Sequence, residues 1–512
     1  MFVRKKRNRS GSISVVVINK ERGKFTEIKN FGTVRSEAEA DALQRKAQRW
    51  IDGYGGQQLI DFEDRRGRER EETERVVANM DSLLINGTQL LLGRIYDDIG
   101  FGAVGDEVLK HLVIARLTQP RSKLATVDYL KSYYDEDVGL NEIYRYMDKL
   151  YNTQQELVQG ISVEHTRNLF GGRLGLVFYD VTTLYFESAA EDELRSPGFS
   201  KDGKTAETQV VLGLLVSEGG YPLSYSVFNG KQYEGYTLIP MIDDFRQRYG
   251  LGGDDFVVVA DSGLMTGRNT ALLREAHYKY VIGARIKNET QEVKQWILSQ
   301  RLANGEFAEL VRKDDERLII GYSQKRADKD AYNRKRGIAR LRKAYSKGTL
   351  TKEQVNRRGY NRFLEISKDV TVEINEGKIA EDAKWDGLKG YITNTSLDPA
   401  QVVEQYHGLW VVERAFRVTK GTLEMRPMFH FTPRRIEAHV CICFVAYKVY
   451  KELERLIKVA GIPHSVDKVI DIAKTIITVR INMPENGQVF TKTMFLTDRH
   501  KSIEPLFDIG QK

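Results

Sequence analysis

The amino-acid sequence predicts a multidomain α/β protein built around a sheet that is flanked by helices. Its 512 residues exceed the roughly 100–200 residues of a single domain, so several domains are expected. Between residues 171 and 285, strand-like segments alternate with helical ones, whereas residues 61–170 and 391–457 show mainly helical periodicity. Together these observations favour an α/β core that is preceded and followed by helical regions.

Residues 1–60 are predicted to form a small β/α domain. Ser12–Gly32 contains two short apolar segments around a charged turn, which predict two strands, and Glu37–Ile51 has a helical pattern. The opening MFVRKKRNRS carries five basic residues and no acidic one, which makes this domain a candidate for binding a polyanion. Residues 61–170 follow as a helical region that begins with a highly charged stretch.

The first part of the core is predicted over residues 171–285. Leu174–Phe186 is rich in β-branched and aromatic residues and predicts a central strand. Two further strands are predicted within Gln209–Gly230. The remaining predicted elements, in chain order, are a helix over Ile239–Tyr249, the strand FVVVA before Asp261, a helix over Asn269–His277 and a strand over Tyr280–Arg285.

The rest of the chain divides into three predicted parts. Residues 286–390 interrupt the core as an insertion domain, and residues 391–457 resume it. Within this last core part, Asp398 followed by Pro399 is a typical helix start. Residues 458–512 form a C-terminal region.

Charge, cysteine content and hydropathy favour a protein that binds a polyanion and argue against a disulfide-rich, zinc-binding or membrane-spanning protein. The net charge of +8 is modest, but basic residues cluster, most densely over Lys325–Lys347, which suggests a polyanionic partner. Cys441 and Cys443 are too few for a disulfide framework or a four-cysteine zinc site. No apolar run reaches the roughly 18 residues that a membrane span requires. We therefore expect a cytoplasmic protein without a membrane partner.

The segment GFSKDGKT (Gly198–Thr205) matches the phosphate-binding pattern G-x-x-x-x-G-K-[ST]. A working phosphate loop follows a buried strand and precedes a helix, because the helix N-terminus binds the phosphates. Here the preceding ESAAEDELRSP is too polar for a buried strand, and the following ETQVVLGLLV predicts a strand. A nucleotide hydrolase that uses Lys204, Thr205 and Asp261 is therefore the alternative enzyme, and the motif is predicted to be an exposed loop.

Three acidic residues stand out for their positions. Asp180 lies inside an apolar strand, where an isolated carboxylate is costly unless it is paired, protonated or bound to metal. Asp261 ends a second apolar strand, and Glu413 lies in a predicted helix. Residues spaced by seven or by four share one face of a helix. Three further residues share the face of Glu413 by this spacing: Tyr406, Arg417 and Lys420.

Three carboxylates that converge would bind two divalent metal ions. Hard oxygen ligands suit Mg²⁺ or Mn²⁺, and a two-metal site activates an attacking oxygen and stabilises a leaving oxygen in phosphodiester chemistry. Each acid also has a purely structural interpretation, in a strand hydrogen bond, a helix cap or a surface ion pair. Their joint occurrence in this order of strands and helices favours the metal-binding hypothesis.

The segments around these acids resemble those of a known family. YDVTTLYFE, VVVADSGLMTGRN and YHGLWVVERAFRVTKGTLEMRPMFH resemble the regions of the first Asp, the second Asp and the Glu in DDE transposases of bacterial insertion sequences. The similarity is to the cut-and-paste group with a Tyr-x2-Arg-x3-Glu-x6-Lys signature, and it covers roughly Gly171 to Tyr450. It implies a ribonuclease-H-like mixed sheet flanked by helices, with an insertion domain before the last catalytic helix.

The resemblance also implies roles for individual residues. The expected catalytic and metal-binding residues, for two Mg²⁺ or Mn²⁺ ions, are Asp180, Asp261 and Glu413. Tyr406 and Lys420 match the signature Tyr and Lys, which contact DNA near the transposon end. The signature Arg falls on Leu409, a departure for which Arg414 or Arg417 is the expected substitute.

The reaction and partners follow from the same resemblance. One strand is cut at the terminal inverted repeats, and the freed 3′-hydroxyl then attacks either the opposite strand, giving a hairpin, or target DNA. Double-stranded DNA is the expected partner, a homodimer would hold both ends, no nucleotide is required, and the bacterial nucleoid is the expected location. The alternative from another class is a DNA-binding protein whose catalytic core has decayed.

Overall fold

The computed structural model describes residues 1–54, 62–188, 190–198, 207–264, 267–351, 354–356, 359–366, 371–426, 428–483 and 488–508. The chain forms two compact units, one of Met1–Ser82 with Val479–Thr491 and the other of Leu83–Thr478 with Lys492–Lys512. Lys204 and Thr205, from the motif that matches a phosphate loop, lie outside the described residues.

The described strands, in chain order, are β1 (Phe2–Arg7), β2 (Ile13–Glu21), β3 (Lys24–Val34), β4 (Met80–Leu84), β5 (Gly175–Tyr185), β6 (Ser196–Pro197), β7 (Thr208–Ser217), β8 (Pro222–Asn229), β9 (Phe256–Ala260), β10 (Lys279–Ala284), β11 (Phe307–Val311), β12 (Arg317–Tyr322), β13 (Leu364–Ile366), β14 (Val372–Ile374), β15 (Leu388–Thr393), β16 (Ile477–Asn482) and β17 (Val489–Met494).

The described α-helices are α1 (Glu37–Asp52), α2 (Phe62–Ala78), α3 (Gly87–Ile99), α4 (Glu107–Thr118), α5 (Lys123–Tyr134), α6 (Leu140–Lys149), α7 (Gln155–Leu169), α8 (Leu238–Tyr249), α9 (Gly267–Glu275), α10 (Gln291–Ser299), α11 (Gln324–Ser346), α12 (Glu376–Ala383), α13 (Pro399–His407), α14 (Trp410–Lys420), α15 (Pro433–Val459), α16 (Val466–Ala473), α17 (Asp498–Ile503) and α18 (Pro505–Asp508).

The smaller unit begins with an antiparallel sheet in the order β1–β2–β3. The apolar residues of β2 face α1, where Val15 and Val17 pack with Ala40 and Ala47. The predicted pair of strands and the predicted helix are confirmed, and β1 is an additional strand. β1 was not predicted because its sequence FVRKKR is mostly charged and lacks the pattern of a strand. It forms a strand because its backbone pairs with β2.

The larger unit is built on a mixed sheet in the order β11–β12–β15–β10–β9–β5–β7–β6, with β8 also paired to β7. β5, β7 and β8 form an antiparallel meander, and β9 and β10 continue from β5 as parallel neighbours. In chain order these five strands lie 3-2-1-4-5 across the sheet, which is the ribonuclease-H-like arrangement. The predicted mixed sheet flanked by helices is therefore confirmed.

Helices cover both faces of this sheet. On one face, Val177 and Tyr179 of β5 pack with the apolar side of α8, including Ile242 and Phe245. On the other face, Phe178 belongs to the large core that includes α13, α14 and α15. Since side chains of a strand alternate between faces, Asp180 lies on the same side as Phe178 and therefore faces the helices of the larger core.

The region predicted as an insertion contributes to the sheet as well as interrupting it. β11 and β12 join β15 at the edge of the sheet, next to β10. The chain then leaves the sheet after Tyr322 and returns at Leu388, two residues that are paired opposite each other. Between them lie the basic α11, the small β13–β14 hairpin and α12.

The regions predicted as helical on either side of the core are mostly helical. Residues 61–170 form α2 to α7 but also the strand β4, and most of α15 lies within the region predicted as mainly helical over residues 391–457. Cys441 and Cys443 are buried free thiols in α15. Among the described helices, none combines the length and apolar character needed to cross a membrane.

Candidate active site

The two predicted aspartates lie next to each other on neighbouring parallel strands. β5 pairs with β9 in a register that ends with Tyr179 opposite Ala260, the last residue of β9, and Asp180 and Asp261 directly follow these two residues. Opposed residues of parallel strands point to the same face of a sheet. The sheet therefore brings the two carboxylates together on the face that is covered by α13 and α14.

Tyr406 of α13 holds the second aspartate. Its hydroxyl donates a hydrogen bond of 2.5 Å to Asp261 Oδ1. Gly283 of β10 makes this contact possible, because a Cβ at that position would lie 2.7 Å from the Tyr406 hydroxyl oxygen. The Tyr406 ring packs edge-on against Tyr391 of β15 at 5.0 Å between centroids, which fixes its orientation.

The surroundings of Asp261 keep its carboxyl ionised. Burial alone would raise its pKa, but the Tyr406 hydroxyl, the backbone N–H groups of Ser262 and Gly263 and the charge of Lys389 together lower that pKa below its ordinary value of 3.8. Burial and the adjacent carboxylate raise the pKa of Tyr406, so the phenol keeps the proton that it donates. The result is a preformed negative oxygen donor on the sheet face.

Asp180 is oriented by its own strand. Its Oδ1 accepts a 2.8 Å hydrogen bond from the backbone N–H of Val181, and the carboxylate is half-buried. The next residue on the same face, Thr182, receives a hydrogen bond from the Lys420 ammonium at the end of α14. The predicted Lys420 thus lies beside the strand that carries the first aspartate.

Glu413 lies on the helix that crosses β5. Two residues before it begins, Gly408 of the preceding turn approaches the strand so closely that a Cβ would lie 2.5 Å from the Phe178 ring. At its end, Lys420 contacts Thr182. Asp180 lies between these two contacts on the same face of β5, and Glu413 lies between them along the helix segment, with an exposed side chain.

Lys389 is a cation of this site that the sequence analysis missed. Its ammonium lies 4.1 Å from the centroid of the Tyr406 ring. Burial lowers the pKa of Lys389 and the charge of Arg326 lowers it further, whereas Asp261 and Glu413 act in the opposite direction. The ammonium of Lys389 therefore interacts electrostatically with the carboxylates of both Asp261 and Glu413. In the sequence, Lys389 falls at the end of the predicted insertion, residues 286–390, and a single lysine there carries no information on the neighbouring strand.

The three residues considered for the missing signature arginine have different surroundings. Leu409 is 7% exposed and packs in the large core, so this position presents no polar group to a ligand. Arg414 is in an ion pair with Glu454 of α15, which also binds Lys451. Arg417, one turn further along α14, is exposed. Arg414 is therefore engaged in an ion pair inside the protein, whereas the side chain of Arg417 is exposed to solvent.

The donor chemistry of Asp180 and Asp261 fits a hard divalent cation. Both provide carboxylate oxygens from rigid neighbouring strands, and the lowered pKa of Asp261 keeps its oxygens negative. Within the parts of the chain that the structure describes, no three His, Cys, Asp or Glu side chains converge closely enough to hold a metal ion. The sheet thus places the two aspartates next to each other, whereas the Glu413 carboxylate does not converge with them into a three-ligand group.

A family match identifies the class of protein to which this chain belongs. Residues 172–448 match the family described as "Transposase DDE domain". Comparison with curated protein sequences found no match. Among solved structures, the chain is similar to one titled "Cryo-EM structure of piggyBac transposase synaptic complex with hairpin DNA", with 9% identity, a TM-score of 0.39, and coverage of 72% of this chain and 70% of that one. Because the family match spans more than half of the chain and includes Asp180, Asp261 and Glu413, the chain belongs to the DDE transposase family.

Proposed function

We propose that this chain is the transposase of a bacterial insertion sequence, which cuts DNA at the terminal inverted repeats of the element and joins the freed ends to target DNA. The observation that carries the proposal is the opposed pair Asp180 and Asp261 on parallel strands, with Tyr406 fixing the second carboxylate. Family membership supports the class of reaction, and the strand order supports the scaffold.

Asp180, Asp261 and Glu413 are proposed to hold two Mg²⁺ or Mn²⁺ ions, which when bound activate the attacking oxygen and stabilise the leaving one. The chain's own contribution is to place these acids on rigid elements and to keep Asp261 ionised through Tyr406. Hydrolysis at the end of the element releases a 3′-hydroxyl, which then attacks a second phosphodiester. We propose the opposite strand as the first target, so that excision passes through a hairpin.

DNA binding is proposed to combine phosphate contacts with base recognition. Arg417 is exposed and Lys420 is half-buried on α14, and the basic helix α11 supplies further charge that would follow the DNA backbone. Tyr406, the other expected DNA contact, is buried and donates its hydroxyl to Asp261, so its proposed role is to hold that carboxylate. Base recognition is assigned to the N-terminal 170 residues. An element has two ends, so the proposed active form is a homodimer that acts on the bacterial nucleoid.

The two arginines of α14 are expected to respond differently to removal. Arg414→Ala should lower the free energy of unfolding by about 2 kcal/mol, because Glu454 is nearly buried and loses a partner. Arg417→Ala should change stability by less than about 0.5 kcal/mol, and should lower by about one unit the slope of log Kd against log salt for DNA. Denaturant unfolding and salt-dependent DNA binding measure the two effects, and an Arg417 variant that binds DNA with the wild-type slope would contradict its assignment.

A cleavage assay tests the proposed function. Purified protein is mixed with labelled DNA that carries the element's own end, or a scrambled end, in Mg²⁺ or Mn²⁺ without ATP. We expect a cut at the authentic end only, and equal cutting by Lys204→Ala. Binding of that end without cutting under any metal condition would instead support a decayed DNA-binding protein.

A nucleotide hydrolase would require ATP and Lys204 in the same assay. The described part of the surrounding chain argues against that alternative, since the segment that follows the motif is the buried strand β7 rather than a helix. Activity that depended on ATP and was lost in Lys204→Ala would overturn the transposase proposal.

A further inference from the structure

The fold leaves open which cation binds the phosphate that the signature arginine would contact. Leu409 occupies the signature position and is buried in the core. Arg414 forms an ion pair with Glu454 of α15. Of the two expected substitutes this leaves Arg417, which is exposed one turn further along α14, and the cations that other elements place near Asp261.

Lys389 is placed for this role by the sheet. It lies on β15, adjacent to Gly390, which pairs with Ala284 at the end of β10. Its ammonium contacts the face of the Tyr406 ring, whose hydroxyl binds Asp261. One aromatic ring thus separates the cation from the carboxylate, and its charge also interacts with Glu413.

Lys389 lines a cleft of about 500 Å³ that opens next to Ser262, the residue after Asp261. Arg326 of α11 also lines this cleft and is close enough to repel Lys389. Arg326 is exposed and lies 3.8 Å from Asp330. Two cations from different elements therefore line one cleft that reaches Ser262, the neighbour of Asp261.

Three other cations of this cleft are in ion pairs, and a fourth, Arg285, donates a hydrogen bond of 3.1 Å to the carbonyl oxygen of Gly263. Arg334 binds Asp386, while Lys287 and Arg362 bind Asp382 at 2.7 and 3.1 Å. By contrast, among the described residues no carboxylate lies within ion-pairing distance of Lys389. A half-buried ammonium without an ion-pair partner, beside a second cation, favours an anion as its ligand.

We propose that Lys389, assisted by Arg326, binds the non-bridging oxygens of the phosphodiester that is cut, in place of the signature arginine. This inference rests on the proposed function, because it takes the strand cut beside Asp261 as the ligand. A cation at this point stabilises negative charge that grows on the phosphoryl oxygens during attack. It also explains how the chain tolerates a leucine at position 409.

The first test compares single-turnover cleavage by Lys389→Ala, Lys389→Arg and the matched control Lys384→Ala. Lys384 is an exposed lysine of the same region that pairs with Glu381. Lys389→Ala should slow cleavage about thirtyfold, since a charged hydrogen bond is lost. Lys389→Arg should recover most of this rate because it restores the charge, and Lys384→Ala should cleave as wild type does.

The second test measures the affinity for DNA under conditions in which no cleavage occurs. DNA with a neutral methylphosphonate at the scissile position is titrated against each protein in the absence of divalent metal. Wild type should lose roughly tenfold in affinity relative to normal DNA, whereas Lys389→Ala should lose almost nothing further. This difference depends on contact with that phosphate, so a purely structural effect of the substitution would not produce it.

The outcomes separate the two proposals. Wild-type cleavage that is unchanged in Lys389→Ala, or an equal methylphosphonate loss in both proteins, would overturn the role of Lys389 and leave the transposase proposal intact. Failure of wild type both to bind and to cut the authentic end would overturn the proposed function, and the role of Lys389 with it. Loss in Lys389→Ala with recovery in Lys389→Arg supports both.

Discussion

Asp261→Asn is expected to reduce DNA cleavage by a factor on the order of 10³ or more, because it removes a negative oxygen donor at the reacting centre. The amide keeps the size of the side chain, and its oxygen can still accept the hydrogen bond from Tyr406. The sheet around the position should therefore stay intact. Asp180→Asn, on the opposed position of β5, is expected to have a similar effect.

Cleavage rate, DNA affinity and thermal unfolding should be measured together for these variants. Glu404→Gln is the matched control, since it neutralises an exposed carboxylate of α13 two residues before Tyr406. This control should cleave at the wild-type rate. Cleavage by Asp261→Asn at more than about a tenth of the wild-type rate would rule out a role for this carboxylate in the reaction.

Tyr406→Phe is expected to slow cleavage about a hundredfold, because the charged hydrogen bond to Asp261 is lost while the ring remains. The variant should also change the pH dependence. In the wild type, this hydroxyl helps to lower the pKa of Asp261 against the effect of burial. When this hydrogen bond is absent, less opposes the effect of burial, so the pKa of Asp261 rises and its carboxylate becomes protonated at a higher pH.

The acid limb of the pH–rate profile should accordingly move to higher pH in Tyr406→Phe. Tyr391→Phe serves as the control, since it removes the hydroxyl of the neighbouring ring and leaves the Tyr406 hydroxyl in place. Its profile should coincide with that of the wild type. An unshifted acid limb in Tyr406→Phe would mean that another group sets the ionisation of the site.

The order of strands and helices in the core was predictable because local chemistry determines it. Strands β5, β7 and β9 are rich in Val and Leu, so their burial on both faces is encoded within each segment. Asp180 and Asp261 stood out for the same reason, as charged residues within or at the end of such segments. Which strand pairs with which was not encoded locally.

The contacts that complete the site depend on tertiary structure. Tyr406 and Asp261 are 145 residues apart, and no periodicity connects them. Spacing places Arg417 on the helical face of Glu413, but it does not show that Arg414 is paired within the protein, which depends on Glu454 of α15. Lys389 gave no signal because its meaning depends on β15 lying beside β10.

The return of the chain at Leu388, opposite the residue where it left the sheet, has an evolutionary consequence. Because Tyr322 and Leu388 form one antiparallel pair, and Ser323 N–H bonds Gly387 C=O at 3.0 Å, the excursion between them is closed at its base like a long hairpin loop. The entropy of closing such a loop grows only slowly with its length. Insertions or deletions within this segment are therefore expected to cost little in loop-closure free energy and to leave the pairing of β12 with β15 in register.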